Sequence, residues 1–397
     1  MKRIKPGRFV LSVLLLAALT LSFCACGENK PDETETEKPE DTTAEETKAE
    51  TETEAETEPP KKEIAAVYPK NSETVSLLTE EMTSWVKSYK PGKLDKLYDH
   101  SEKCEPVPVV LQWENGDGAL YSHVLIADND KMENATVYLC STCDLTVEDL
   151  YPGKTYFWQV IAEYGDRTEK SSVFSFETMF SPRTLAVDGV SNVRDIGGYK
   201  AGDGKIIRRG VAFRGADFEH ITGDGINKLV NILGIKTELD LRESSNKGPS
   251  KLGENINYVA TSGPWYNNSF EDNYRKELAK ELRVFADADN YPIYFHCSLG
   301  RDRTGTLAFL LLSLCGVSKN DMYMDYEVSF FSDTGGYIDS AVPSSMTKTT
   351  LESYRRAIQA YEKDKTMSEA TRAFFIDLGL TEEEIDAIYT NLTEDAG

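Results

Sequence analysis

The residues best suited to chemistry stand together at His296-Cys297-Ser298-Leu299-Gly300-Arg301-Asp302-Arg303-Thr304-Gly305. Five residues separate Cys297 from Arg303, enough chain to wrap one tetrahedral anion. A loop that leads into a helix turns unpaired N–H groups and a partial positive charge toward such a guest. A thiol in that field gives up its proton more easily and becomes a nucleophile. The planar fork of Arg303 matches two phosphate oxygens. Ser298, Leu299, Gly300 and Arg301 supply backbone donors, and Gly300 and Gly305 permit close approaches that a Cβ hinders. The Thr304 hydroxyl can donate to the thiolate and ease its departure. A buried structural thiol and a surface ion pair would be the plainer reading, but neither accounts for Cys, Gly, Arg, Thr and Gly at this spacing.

Two elements must hold that loop. Tyr291–Phe295 has the pattern of a short buried strand, and the apolar run Thr306–Cys315 that of a helix closed by Gly316. The motif His-Cys-x-x-Gly-x-x-Arg-Thr-Gly resembles the signature of cysteine-dependent protein tyrosine and dual-specificity phosphatases. Its Arg-Asp-Arg-Thr-Gly ending is similar to the bacterial tyrosine/lipid phosphatase group, with Arg301 where that group usually has Lys. Asn192-Val-Arg-Asp-Ile-Gly-Gly198, Phe213-Arg214-Gly215 and Asp240-Leu241-Arg242 resemble further stretches of the same group. The resemblance runs through residues 180–397 and implies an α/β domain with a central, mainly parallel sheet.

It also implies roles. Cys297 would attack phosphorus, and Arg303 with the loop amides would stabilise the equatorial oxygens. An acid would protonate the leaving oxygen and then act as base on water. Asp302 is favoured for that acid, by similarity to myotubularin-type lipid phosphatases, with Asp272 as the alternative. An ion pair with Arg301 is the competing role for Asp302. His296 would brace the Cys297 backbone, while Asp195, Arg214 and Arg242 would support the loop or touch phosphate. Arg301 at the pocket mouth would favour a second phosphate, so phosphoinositides or inositol phosphates join phosphotyrosine as expected substrates. Trp265, Tyr266 and Phe270 are candidates either for the pocket wall or for the core. No metal and no cofactor are expected, since guanidinium and amides carry the positive charge. Alternatives are a phytase-like inositol polyphosphate phosphatase, or a surface binding protein that uses the fold only as a scaffold.

The rest of the chain is organised differently. Its 397 residues carry a net charge of −23, which argues against non-specific nucleic-acid binding. Lys2, Arg3 and Lys5 precede the apolar run Phe9–Phe23, and Ala25-Cys26-Gly27 resembles a bacterial lipoprotein cleavage site. The expectation over 1–26 is therefore an export signal with Cys26 lipid-anchored on the outer face of a membrane, or plain secretion. Residues 27–63 hold 15 acidic against 5 basic side chains and no aromatic, a composition that remains a solvated tether.

Between 64 and 178, strand-like runs at Val107–Trp113, Tyr121–Ala127, Thr136–Leu139, Thr155–Glu163 and Ser172–Thr178 predict a β-sandwich, preceded by a helix near Thr74–Lys87. Leu150–Val160 and Phe174–Thr178 resemble the late strands of a fibronectin type III domain. A spacer role or a substrate-binding accessory role is expected for it. The fold class is thus multidomain, an immunoglobulin-like sandwich followed by an α/β domain. Cys104 is a candidate for a disulfide, and Cys140-Ser-Thr-Cys143 is a weak zinc or disulfide motif. Thr381 with Glu384 predicts a capping box at a C-terminal helix.

Overall fold

The computed structural model describes residues 63–93, 104–115, 118–246, 248–332 and 346–396, all within one compact unit, Pro59–Gly397. The leader, Cys26 and nearly all of the acidic tether lie outside the described residues. Among the described residues, no helix is long and apolar enough to cross a membrane.

The first half is a β-sandwich. One sheet holds β1 (Ala65–Tyr68), β3 (Val109–Glu114) and β6 (Asp144–Val147). The other runs β2 (Glu73–Val75), β9 (Phe174–Thr178), β7 (Thr155–Glu163), β4 (Tyr121–Ala127) and β5 (Thr136–Cys140), with β8 (Thr168–Lys170) also on β7. Alternation dictates the packing: Val109, Leu111 and Trp113 point inward from β3, and Tyr156, Trp158, Val160 and Ala162 from β7. Trp113 and Tyr156 are core residues, as the pattern of buried alternate positions requires.

Helix α1 (Glu80–Lys87) starts six residues later than the sequence pattern predicts, because Glu73–Val75 pairs in parallel with β9. Thr79 caps it by accepting from Met82 N at 3.3 Å. Its buried Met82 and Trp85, with Leu78 and Cys104, belong to the core of the second domain. The expected boundary at 64–178 therefore cuts through structure: a segment between β2 and β3 crosses over to the α/β domain. A contact from Trp85 to Phe331, 5.1 Å between ring centroids, is part of that docking.

The second domain is built on a six-stranded sheet ordered β10 (Arg183–Thr184), β11 (Arg194–Asp195), β13 (Ala212–Gly215), β16 (Ile293–His296), β14 (Thr237–Asp240), β15 (Asn257–Ala260). The last four are mutually parallel, and β10 and β11 at one side of the sheet pair antiparallel, with β10 at the edge. A two-stranded ribbon, β12 (Lys205–Ile207) with β17 (Thr393–Asp395), closes the far end of the chain. All four residues of β16 are buried, the condition that a continuous apolar run in a central parallel strand satisfies.

Helices α2 (Gly223–Asn227), α3 (Asp272–Ala286), α4 (Asp302–Leu314), α5 (Lys319–Val328), α6 (Glu352–Gln359), α7 (Met367–Asp377) and α8 (Glu382–Leu392) complete the domain. Helix α4 is buried from Thr304 to Leu314, so its apolar faces are covered on every side. The Thr381–Glu384 capping box forms as predicted.

Candidate active site

The carboxyl end of β16 delivers Cys297 between the ends of β13 and β14, the usual ligand position on a parallel sheet. Cys297 is buried, and the chain then curls through 298–301 into the first turn of α4. Gly300 adopts φ +67°, and a Cβ there would sit 2.3 Å from the carbonyl carbon and oxygen of Gly215. Only glycine lets the loop lie against the end of β13 this closely. Among the described residues, no hydrogen-bond acceptor meets the backbone N–H of Ser298, Gly300, Arg301 or Asp302. Such a run of free amides at a helix start is an anion cradle.

Arg303 is divided in its bonding. Its Nη1 donates to the carbonyls of Leu241 at 3.3 Å and Arg242 at 2.8 Å. Among the described residues, Nε and Nη2 have no acceptor. One corner of the guanidinium is thereby anchored, while an edge with two donors stays available to a guest. Thr304 is fully buried and its hydroxyl has no partner among the described residues, so the bond to the Cys297 sulfur is not made in this structure.

Behind the loop lies a buried charge network. Asp325 of α5 accepts from Arg194 Nε at 3.0 Å and from Arg214 Nη1 at 2.5 Å. Arg214 Nη2 then donates to the carbonyl of Gly300 at 2.9 Å. Arg194 also grips the side chain of Asn192, whose Nδ2 donates to the carbonyl of Leu299 at 2.9 Å. Two arginines and one aspartate, all buried, therefore hold the carbonyl side of the cradle outward so that its amides face in. Burial alone would push the Asp325 carboxyl up, but the two guanidiniums more than offset this and hold it below the usual range. Burial and the neighbouring Arg194 lower Arg214 to about 10.

The proposed acid candidates separate clearly. Asp302 accepts from Tyr266 Oη at 2.7 Å and from Arg301 Nε and Nη2, both at 3.1 Å. Tyr266 is itself at φ +51° and is tied down by its N–H to Thr306 Oγ1 at 2.8 Å, a strained residue held in place by the site around it. Asp272 is exposed at the first position of α3 and, among the described residues, forms no hydrogen bond or ion pair with the loop. Arg301 departs from expectation. It is buried, paired with Asp302 and set 5.2 Å from the Phe330 ring, because α5 and the turn after it cover the loop where an open mouth was expected.

Other predicted supports have distinct positions. Asp195 pairs with Arg183 at 3.0 Å and accepts from the N–H of Gly197 and Gly210, so it braces the sheet edge and not the cradle. Arg183 in turn donates to the carbonyl of Asp149 in the sandwich, which ties the two domains. Arg242 bonds Asp240 at 2.8 Å and Asp217 at 3.0 Å, and it reaches Arg303 only through its carbonyl. His296 is fully buried, with Nε2 2.9 Å from Glu238 and Nδ1 3.4 Å from the Cys297 carbonyl. Glu238, Asp240 and His296 place ligand-type atoms within 4.8 Å of one another, but protein donors from Ser250, Arg242, Tyr258 and Asn246 already occupy the carboxylates.

Trp265 is exposed, and Phe270 packs into the core against Phe374 at 5.3 Å. Cys104, Cys140 and Cys143 are free thiols, so among the described residues neither candidate disulfide is formed, and burial raises Cys104 to about 12. Sequence reasoning missed Asp325, Asn192 as a loop contact, Glu238, and Asp217, whose N–H donates to the Ser298 carbonyl at 3.4 Å.

A parallel sheet with a cysteine-to-arginine anion loop at its carboxyl end defines a cysteine-phosphatase type of architecture. The profile of the tyrosine phosphatase family matches residues 185–394, more than half of the chain, and the chain belongs to that family. A protein of Cupriavidus necator named as a tyrosine-protein phosphatase is 27% identical over 170 residues, covering 36% of this chain and 61% of that one. A tyrosine-protein phosphatase of Nostoc commune is 31% identical over 101 residues, covering 25% and 30%. The chain thus spans less than two thirds of either relative. The catalytic core of the Siw14 PP-IP phosphatase of S. cerevisiae superimposes with TM-score 0.26 at 18% identity, covering 43% of this chain and 93% of that one.

Proposed function

We propose that this chain is an exported phosphomonoesterase that works through a phosphocysteine at Cys297. The carrying observation is the divided bonding of Arg303, anchored at Nη1 and open at Nε and Nη2, beside free loop amides. Cys297 Sγ attacks phosphorus, and the bond to the leaving oxygen breaks. Arg303 and the amides of 298–303 take the charge that builds on the equatorial oxygens. Asp302 supplies the proton to the leaving oxygen and then draws one from the attacking water, after which sulfur leaves and inorganic phosphate is released. Three donors surround its carboxyl group in the resting structure, so the Tyr266 hydroxyl must turn away before Asp302 can donate.

The substrate read from the family is phosphotyrosine, with phosphoinositides as the second class. The buried Arg301 removes the argument for a second phosphate at an open mouth. The sandwich serves as a spacer, Cys26 as the lipid anchor, and the acidic stretch as the tether between them. A Cys26→Ser chain that still partitioned with membranes would contradict the anchor. The test of the chemistry is phosphate release from an aryl phosphate under full reduction, wild type against Cys297→Ser. Turnover that needs Cys297 is expected. Equal, negligible turnover would leave only the scaffold reading.

A further inference from the structure

Helix α5 and the turn Ser329–Phe331 that follows it present three faces, and the site described above accounts for two. Positions four apart on a helix share a face. Asp325 and Ser329 form one such pair: Asp325 holds Arg194 and Arg214, and Ser329 Oγ accepts from Arg194 Nη2 at 2.9 Å. Tyr326 and Phe330 form the next: Tyr326 Oη lies 2.5 Å from Tyr266 Oη, and the Phe330 ring stands 5.2 Å from the Arg301 guanidinium. Both faces bear on the catalytic loop or its acid. Glu327 and Phe331 form the third, which is turned to the crossover between β2 and β3.

That crossover is rooted in the sandwich and seated on the other domain. Leu77 is buried in the sandwich core, and Leu78, the next residue, in the core of the second domain. Its base is closed by the N–H of Val107, which donates to the Leu77 carbonyl at 2.8 Å. From there it meets the third face at three points. The N–H of Gly92 donates to Glu327 Oε1 at 2.7 Å, and the N–H of Cys104 donates to the Phe331 carbonyl at 2.9 Å. The Trp85 ring packs edgewise on Phe331, 5.1 Å between centroids. Glu327 is fully buried. A buried carboxylate that loses a donor stays short of a bond or turns to water. Turning Glu327 to water rotates the stretch that carries Asp325, two residues back, and Phe330, three ahead.

We infer that the sandwich's crossover is a positioning element for the catalytic loop: Gly92 and Trp85 hold Glu327 and Phe331 from outside, and so fix where Asp325 and Phe330 meet the cradle. Turnover then depends on the docked sandwich, although Trp85 and Glu327 touch no reacting atom. The effect on rate rests on the phosphocysteine reading; the effect on the loop does not.

The experiment uses the whole chain. Trp85→Ala and Glu327→Leu, assayed well below melting, should lower kcat by about tenfold, a fraction of what losing an oxyanion donor outright costs. Vanadate inhibition should weaken in parallel, with KM for an aryl phosphate changed less than about twofold. Glu327→Gln, which keeps an oxygen to accept from Gly92, should retain most of kcat. Leu111→Ala, a cavity in the sandwich core far from the crossover, should lower the melting temperature and leave kcat and vanadate inhibition alone. Amide hydrogen exchange across α5 and the first turns of α4 should quicken in Trp85→Ala and Glu327→Leu but not in Leu111→Ala. If Trp85→Ala does not fold, Trp85→Phe, which shortens the reach to Phe331, carries the same criteria.

Lower melting temperatures for both crossover variants, with kcat, vanadate inhibition and exchange in α4 unchanged, overturn the inference, since that describes merely structural residues. So does a Leu111→Ala chain that loses as much kcat, because general destabilisation then explains the loss. Failure of the phosphocysteine reading shows separately, as a wild type no more active than Cys297→Ser, while the exchange data still decide whether the crossover holds the loop.

Discussion

Removing Asp325 should loosen the cradle from behind. The Asp325→Ala change leaves the guanidiniums of Arg194 and Arg214 buried, without the carboxylate that bridges them at 3.0 and 2.5 Å. Breaking a buried pair by deleting one partner costs about 3–5 kcal/mol, and here two cations lose their partner at once, so the upper end applies. Against a total stability of about 5–15 kcal/mol this is a large fraction. At about 2–4 °C per kcal/mol for a domain of this size, melting should fall by roughly 6–20 °C.

The effect should also be pH-dependent. Asp325 is held below its unfolded value, so its stabilisation is fully present above about pH 4, the unfolded carboxyl range, and is lost as pH falls through the folded value. The gap between wild type and variant should therefore close in acid. Because Arg214 grips the Gly300 carbonyl and Arg194 acts through Asn192 on Leu299, turnover measured well below melting should drop as well. Urea titrations at pH 7 and below pH 4, with aryl phosphate turnover beside them, measure both. A variant within about 1 kcal/mol of wild type at pH 7, with full turnover, would refute the claim that this triad holds the loop.

Two further outcomes follow from the site. Burial lifts Glu281 to about 8, outweighing its bond from Thr261, so the folded state loses stability as pH rises from about 4.5 to 8, by up to about 1.4 kcal/mol per unit. Glu281→Gln should flatten that slope in urea titrations, and an unchanged slope would show that Glu281 is not its source. Asp302→Ala should slow aryl phosphate turnover by about 10²–10⁴-fold and remove the alkaline limb of the pH–rate profile, while Asp272→Ala should leave both alone. The reverse pattern would move the acid to α3.

Much of this site was legible in the chain because its parts are contiguous. Cys297 through Gly305 supply nucleophile, glycine turn, arginine and helix start in nine residues, and the flanking strand and helix follow from apolar runs alone. What escaped is what only tertiary packing assembles. Asp325 lies in a Met-Tyr-Met-Asp-Tyr stretch, where one acid amid large apolar residues signals a buried partner without naming it. Glu238 and Asp240 alternate on one face of a strand otherwise fit for burial, a visible anomaly whose partner, His296, is 58 residues away. Arg301 was misplaced because spacing gives its position on the loop but not the cover that α5 and Phe330 put over it. Helix α1 was grouped with the sandwich because it is sandwiched in sequence, although Met82 and Trp85 bury their surface in the other domain.

The central claim is that Cys297 and Arg303 hold the same tetrahedral guest. A crystal of the reduced protein soaked in vanadate measures it directly. The account predicts vanadium bonded to Cys297 Sγ, the loop amides on its oxygens, and Nε and Nη2 of Arg303 on two of them. A cradle left empty, or an occupied one from which the Arg303 edge points away, would contradict it.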